Sequence, residues 1–391
     1  MPVWLLALLF AAFVLYTDDY VIAGVLPEIA EDLGVSQSQA GQLVTVFSVT
    51  VALAAPVAGV GLAGMDRRRV FGVSLAVFVA ANTLAALTPS YGVLVVLRVA
   101  AALAAAATTP SLFAVAAARA PAGRTGRYIA VVALGVTGSI AAGVPIGTWV
   151  GGALGWRATF ALMAVLGAAA AASILATLDR AEQDGHPPSL SEQLRVLAAP
   201  AVSLGLAANA LFMTGSMMLM TYLAPFTVAL SGADTTVRGA LFALSGLAGM
   251  VGIWAGGLAG GRWGPDRALA TGVGAFLAAM AALAVLWGLR PVPVWTMGAV
   301  SALLGAAAFF TSPAIQARLH ILAGPVAPQA LALNTSGTYL GVAGGGVVGG
   351  VLLAAFGPGA LPFASAGFGV CALLSLALAV RVDRRGRVAV A

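Results

Sequence analysis

Charge is scarce in this chain, and one kind of charged residue is missing. Of 391 residues only 8% are charged, while 61% are hydrophobic. A soluble domain carries about a quarter charged residues, so no soluble surface can be drawn from this composition. The mean hydropathy of +1.02 says the same. Lysine is absent, and all 19 basic residues are arginine. That usage fits a GC-rich genome better than a chemistry. The pI near 10.2 does not point to nucleic acid, because the arginines sit in short loops beside apolar runs. Cys371 is the single cysteine, so no disulfide can form within the chain. The two histidines, His186 and His320, are far apart and belong to no Cys/His cluster, so no metal site is expected. No Gly-Lys-Ser/Thr phosphate loop, His-Glu-x-x-His or Gly-x-Ser-x-Gly occurs. Enzymes, ATP-driven pumps and cofactor-dependent proteins are therefore disfavoured, and no cofactor is expected.

Long apolar runs are what the chain has. A spanning helix needs roughly 20 apolar residues. Twelve such segments are expected, at about 4–26, 41–63, 70–88, 91–118, 128–151, 157–178, 200–226, 238–260, 268–289, 292–317, 330–355 and 361–381. The first is read as a span rather than a removable leader, since it lacks a basic start and eleven spans follow. Basic residues concentrate on the cytoplasmic side of a membrane. With the amino terminus inside, fifteen arginines fall on the cytoplasmic side. Only Arg157, Arg238 and Arg290 fall outside, and Arg98 lies within a span. Both termini are thus expected in the cytoplasm, with the chain multi-pass in the inner (plasma) membrane.

The longest polar stretch, "LDRAEQDGHPPSLSEQLR", follows the sixth span and reads as a linker. "GLAGMDRRRV" (Gly61–Val70) and "GLAGGRWGPDRA" (Gly257–Ala268) recur at the same place in each half, 196 residues apart. An echo of this kind marks a duplicated transporter half. The expected architecture is all-α and integral to the membrane, with twelve transmembrane helices in two pseudo-symmetric six-helix bundles. The bundles comprise residues 1–178 and 198–391, the latter with a short basic tail, joined by a linker at 179–197.

Against this background "VLYTDDYVIAG" (Val14–Gly24) stands out, with Asp18 and Asp19 adjacent in an apolar span. Ionised carboxylates are costly there unless paired, hydrated or protonated. Counted from Trp4, Asp19 lies roughly 22 Å across at 1.5 Å per residue, in the outer half of a core about 30 Å thick. Counted from Tyr91, Arg98 on the oppositely directed fourth span lies about 10 Å below the same surface. Acid and arginine come out at similar depth, and embedded charges usually face a cavity or each other. Neighbours on a helix point about 100° apart, so Asp18 and Asp19 cannot both look into one cavity. Like charges so close favour protonation of one of them, which suits a proton carrier. Periodicity does not choose between the two.

No ionisable residue is well inside the last six spans. That half offers neutral groups, Asn209, Tyr222, Gln316, Asn334 and Tyr339, with Met213 and Met217 in "FMTGSMMLMTY". In the first half Tyr16 and Tyr20 flank the acids. These are the candidate substrate-binding residues, with interhelical hydrogen bonding and core filling as the plainer roles. Glycine stripes on the fifth and eleventh spans, including Gly143 and Gly147, with Gly341 and Gly345 in the second half, allow close helix approach. They are expected to form a sliding seam between the halves.

Several stretches resemble the major facilitator superfamily, in particular its twelve-helix drug:proton antiporter branch of sugar, nucleoside and chloramphenicol-type exporters. "TDDYVIAGVLPEIAEDLGVS" is similar to the end of that branch's first helix, "LRVAAALAAAA" to its fourth-helix arginine motif, and "GVPIGTWVGGALGWRATF" to its fifth-helix antiporter motif. "LNTSGTYLGVAGGGVVGG" is similar to its eleventh helix. The resemblance implies that Asp19 is the membrane-embedded acid, Arg98 its partner and Pro145 the bend residue. It also implies a gating clamp after the second span, here built from Asp66, Arg67 and Arg68, although the acid is displaced from the family's usual place. The function it implies is proton-coupled efflux of small organic molecules by alternating access, by a monomer in the lipid bilayer. Proton symport or uniport of sugar- or nucleoside-like solutes is the alternative, and a non-transporting membrane sensor the remote one.

Overall fold

The computed structural model describes residues 1–62, 64–121, 124–178 and 194–390. The described chain is helical and holds twelve helical segments long and apolar enough to cross a membrane, one of them the continuous run Thr125–Leu154. The first half runs α1 (Val3–Tyr20), α2 (Ile22–Asp32), α3 (Gln37–Gly61), α4 (Arg67–Leu87), α5 (Tyr91–Ala118), α6 (Thr125–Gly138), α7 (Val144–Leu154) and α8 (Trp156–Thr177). The second runs α9 (Pro200–Thr221), α10 (Leu223–Ser231), α11 (Thr235–Trp263), α12 (Pro265–Gly288), α13 (Val294–Ala323), α14 (Ala327–Phe356) and α15 (Leu361–Val390). Most of the expected linker, 179–197, lies outside the described residues.

Local chemistry sets the helix boundaries. Ser36 and Gln39 form a reciprocal capping box at the start of α3, at 3.1 and 2.9 Å. Each side chain satisfies a backbone N–H that the first turn leaves open. The Asp66 carboxylate accepts from the Arg68 N–H at 3.1 Å and caps α4. Between α6 and α7 the chain makes a π-helical turn, Ser139–Gly143, in which the Val144 N–H reaches back to the Ser139 carbonyl. Pro145 follows with no N–H to donate, so the hydrogen-bond ladder shifts register just before it.

Two expected spans are shorter than the hydropathy suggested. The first ends at Tyr20 rather than 26, and α2 continues with Val25 at φ −113°, ψ 15°. The seventh ends at Thr221 rather than 226, with Tyr222 at φ −105°, ψ 21° between it and α10. Pro225 cannot donate to the Thr221 carbonyl one turn back, which removes a ladder bond at the break.

The chain divides into two compact units, Met1–Pro187 with Asp234–Ala243, and Pro188–Ala233 with Leu244–Ala391. In the first unit α1 is central, packed on α6 and α8, while α4 packs on α5 and α8. In the second, α9 takes the central place against α14 and α15, and α12 packs on α13 and α15. The neighbour pattern is the same, as duplication predicts. Equivalent residues lie 202 apart: Tyr20 and Tyr222, Gly143 and Gly345, Gly155 and Gly357. The last pair turns the chain at positive φ, 87° and 76°, a region that a β-carbon disfavours.

Candidate functional site

The site in the first unit is built on α1. Its last turn carries Tyr16, Asp18, Asp19 and Tyr20, and the two carboxylates are 0% and 1% exposed. Arg98 of α5 points both terminal nitrogens at Asp18. One donates to Oδ2 at 2.7 Å and the other to the backbone carbonyl at 3.0 Å. The guanidinium is 1% exposed and sits 4.4 Å from the Phe47 ring centroid and 5.9 Å from that of Phe160. A weakly hydrated, planar cation suits such an aromatic setting better than an ammonium would. Asn82 of α4, fully buried, gives its amide to the Phe78 carbonyl at 3.1 Å and faces the Asp18 carboxylate.

The pair that forms is Arg98 with Asp18, the neighbour of the acid that the resemblance singles out. Depth along two helices brings the acid and the base to one level. The 100° step between neighbours then decides which carboxylate faces α5, and that rotation cannot be read from spacing. Asp19 is buried on the adjoining face. Tyr16 and Tyr20, four residues apart on one side of α1, are half-buried.

The glycines of the two stripes that meet a neighbour lie against the central helix of their own unit. A β-carbon on Gly143 would lie 1.9 Å from Thr17 Oγ1, and one on Gly147 2.3 Å from Val21, both on the α1 side. In the second unit, one on Gly345 would lie 2.7 Å from the Met218 nitrogen and one on Gly349 2.7 Å from the Tyr222 ring. Small residues are required because the central helix runs so close. Pro145, two residues from each of these glycines, is also buried.

The candidate binding residues of the second unit largely serve packing. The Tyr222 hydroxyl, fully buried, donates to the Gly346 carbonyl at 2.8 Å. Asn209 donates to Thr338 Oγ1 at 2.9 Å, and that hydroxyl donates to the Asn334 carbonyl at 2.9 Å. Met213 lies against Gly341, and Met217 is buried. Asn209 and Thr311 are the polar groups lining an otherwise apolar recess of ≈ 310 Å³ with Phe212, Val273 and Ile315. Tyr339 is buried and Gln316 exposed. Asn334 is 9% exposed, and its side-chain carbonyl has no hydrogen-bond partner among the described residues.

Of the clamp residues, Asp66 caps α4, Arg67 donates to Ser111 Oγ of α5 at 3.1 Å, and Arg68 supplies the capped N–H. Charged contacts that the sequence reading missed lie elsewhere. Arg318, 6% exposed, stands between Asp266 at 3.0 Å and Asp383 at 3.5 Å. Arg238 meets Glu28, and Arg157 meets Asp32 at 2.5 Å. Each looked like a loop charge in a hydropathy window, and only Asn82, a lone amide inside a span, carried a usable signal.

Two central helices with the same neighbours, one charged and one neutral, are what a duplicated transporter would show, and the family model of the Major Facilitator Superfamily matches residues 8–326. The chain belongs to this superfamily. Among its curated relatives, the Chloramphenicol resistance protein of Streptomyces lividans is 34% identical over 314 residues, 78% of this chain and 79% of that one. The MFS-type transporter YbcL of Bacillus subtilis (strain 168) is 31% identical over 342 residues, 88% and 86% of the two chains. Among solved structures, the nucleoside transporter NupG (D323A mutant) superposes with a TM-score of 0.81 at 11% identity, covering 96% of this chain and 99% of that one. That likeness is one of fold. The superfamily and its relatives are membrane transporters rather than enzymes, and twelve apolar helices make this chain a multi-pass membrane protein.

Proposed function

We propose that this superfamily member is a proton-coupled exporter of small organic molecules working by alternating access. The observation that carries the reading is the arrangement at the end of α1. Arg98 commits both terminal nitrogens to Asp18, and a second buried carboxylate, Asp19, lies on the adjoining face. Two adjacent buried acids, with an arginine fixed on one of them, suit a site that takes up and releases a proton. Asp18 with Arg98 is then the standing pair and Asp19 the carrier. Tyr16 and Tyr20 are the nearest candidates for touching substrate. A mostly neutral lining with one acid suits neutral or cationic solutes. The name of the Streptomyces relative adds an amphenicol as the first compound to try. The arginine asymmetry of fifteen to three supports cytoplasmic termini in a plasma membrane.

The test is flux of radiolabelled chloramphenicol in proteoliposomes under an imposed pH gradient. Wild type moves the compound against the proton flow, and Asp19→Asn loses the acceleration by the gradient while remaining folded. Movement along the proton flow would establish uptake by symport instead. An unchanged pH dependence in Asp19→Asn sinks the carrier assignment, and loss in Asp18→Asn alone transfers it to Asp18.

A further inference from the structure

Three helix ends of the first unit meet around Trp4, away from the site built on Asp18 and Asp19. Trp4 lies in the first turn of α1, Arg119 follows the last residue of α5, and Arg124, Arg127 and Tyr128 open α6. The ring centroids of Trp4 and Tyr128 are 5.8 Å apart, and the Arg119 guanidinium is 5.9 Å from that of Trp4. Both rings are half-buried, whereas Arg124 and Arg127 are exposed. Arg124 stands three and four residues before Arg127 and Tyr128, a spacing that puts the three on one side of α6. Nothing nearby offsets their charge. No Asp or Glu occurs between Asp66 and Asp179, so α4 to α8 carry none. Neither Arg124 nor Arg127 has an acidic partner among the described residues. Asp18, the first acid of α1, lies about 21 Å along the helix from Trp4 and is held by Arg98. At the amino-terminal end of α6 these arginines also add to the helix dipole, where an acid would oppose it.

We propose that this cluster is a binding site for the headgroup of an anionic phospholipid, with the phosphate on Arg124 and Arg127, Arg119 at its rim and the acyl chains along α1 and α6. Guanidinium forks match phosphate oxygens in pairs. Tryptophan and tyrosine favour the depth at which headgroups lie, and both stand beside the arginines. What separates a lipid from a free anion is the apolar surface that follows. Val3 and Leu6 of α1 are 67% and 46% exposed, and Ile129 and Leu134 of α6 are 37% and 53% exposed. Acyl chains can cover such side chains, and a soluble phosphate cannot. The site does not depend on which solute the protein carries or in which direction.

The test is native mass spectrometry of the full chain, delipidated in detergent and titrated with phosphatidylglycerol or phosphatidylcholine. Wild type should hold phosphatidylglycerol about tenfold more tightly. Arg124→Gln with Arg127→Gln should abolish that preference. Arg262→Gln with Arg267→Gln, which removes the same charge from exposed positions of the second unit, should keep it. An equal loss in the two double variants reduces the effect to net charge and overturns the site, as does equal affinity of wild type for the two lipids. Displacement of phosphatidylglycerol by millimolar inorganic phosphate overturns the lipid assignment in favour of a soluble anion. Thermal unfolding without added lipid should be the same in wild type and both variants. A lower midpoint in Arg124→Gln with Arg127→Gln would show that these arginines serve the fold, and would also overturn the site.

Discussion

The two units of this transporter place the same helix in the same surroundings and give it opposite chemistry. In the first, α1 lies close to the glycines of α6–α7 and buries Asp18, Asp19 and a paired arginine. In the second, α9 lies as close to the glycines of α14 and buries Asn209 and Thr214, with Tyr222 just past its end, all neutral. The glycines stand 202 residues apart, so the backbone scaffold is shared, and the charge is not needed to build it. A feature that only one copy of a duplicated scaffold carries belongs to function more than to folding.

The comparison can be broken most forcefully at Asp18. Asp18→Leu strands a buried arginine and is expected to cost about 3–5 kcal/mol, read as a shift in unfolding by denaturant in bicelles. Asp18→Leu with Arg98→Leu removes the buried ion pair whole, leaving Asp19, and should cost less than the single change. A double variant more damaged than the single would show that the charge does hold the scaffold. Next come the glycines. Gly143→Val and Gly345→Val each force a helix off its neighbour and should each cost about 1–3 kcal/mol. Tolerance at one position with collapse at the other would end the claim of a shared scaffold.

A finer test is Tyr222→Phe, which removes the hydroxyl that donates to the Gly346 carbonyl and should cost about 1 kcal/mol with flux retained. Loss of flux without loss of stability would move Tyr222 from packing to binding. The smallest effect is expected at Asp32, outside the spans. The hydrogen bond from Arg157 holds its carboxyl below the ordinary carboxylate range, with a further one from Trp156. A depressed carboxylate stabilises the fold above its unfolded pKa of about 4, and that contribution is lost as pH falls through the folded value. Both partners are substantially exposed, so Asp32→Asn should remove less than about 1 kcal/mol at pH 7 and flatten the acid limb of the stability curve.

Much of this was legible in the sequence. Composition alone required a membrane, and apolar run lengths placed twelve helices to within a few residues over most of the chain. Depth counting brought the α1 acids and Arg98 to one level. What failed was rotation and partnership. Spacing shows that the glycines form a stripe but not which helix faces it, and the central helix of each unit is what they meet. Spacing puts Asp18 and Asp19 on different faces but not which face meets α5. The breaks after Tyr20 and at Tyr222 lie in runs whose hydropathy never falters, and Pro225 was the cue passed over. Arg238 and Glu28, 210 residues apart, meet only in three dimensions.

The choice of arginine at position 98 has an electrical consequence. A lysine in such surroundings can shed its proton and become neutral, whereas a guanidinium cannot. The charge of this core is therefore set by its carboxylates alone. With Arg98 and both aspartates ionised it is net negative by one, and a single proton brings it to zero. Membrane voltage acts with about 2.3 kcal/mol per elementary charge per 100 mV, and only on the unprotonated form. In the export reading, with a neutral solute, an inside-negative potential thus pushes the deprotonated, solute-bearing core outward and leaves the proton-loaded core untouched. The direction of pumping would follow from the voltage as well as from the pH difference.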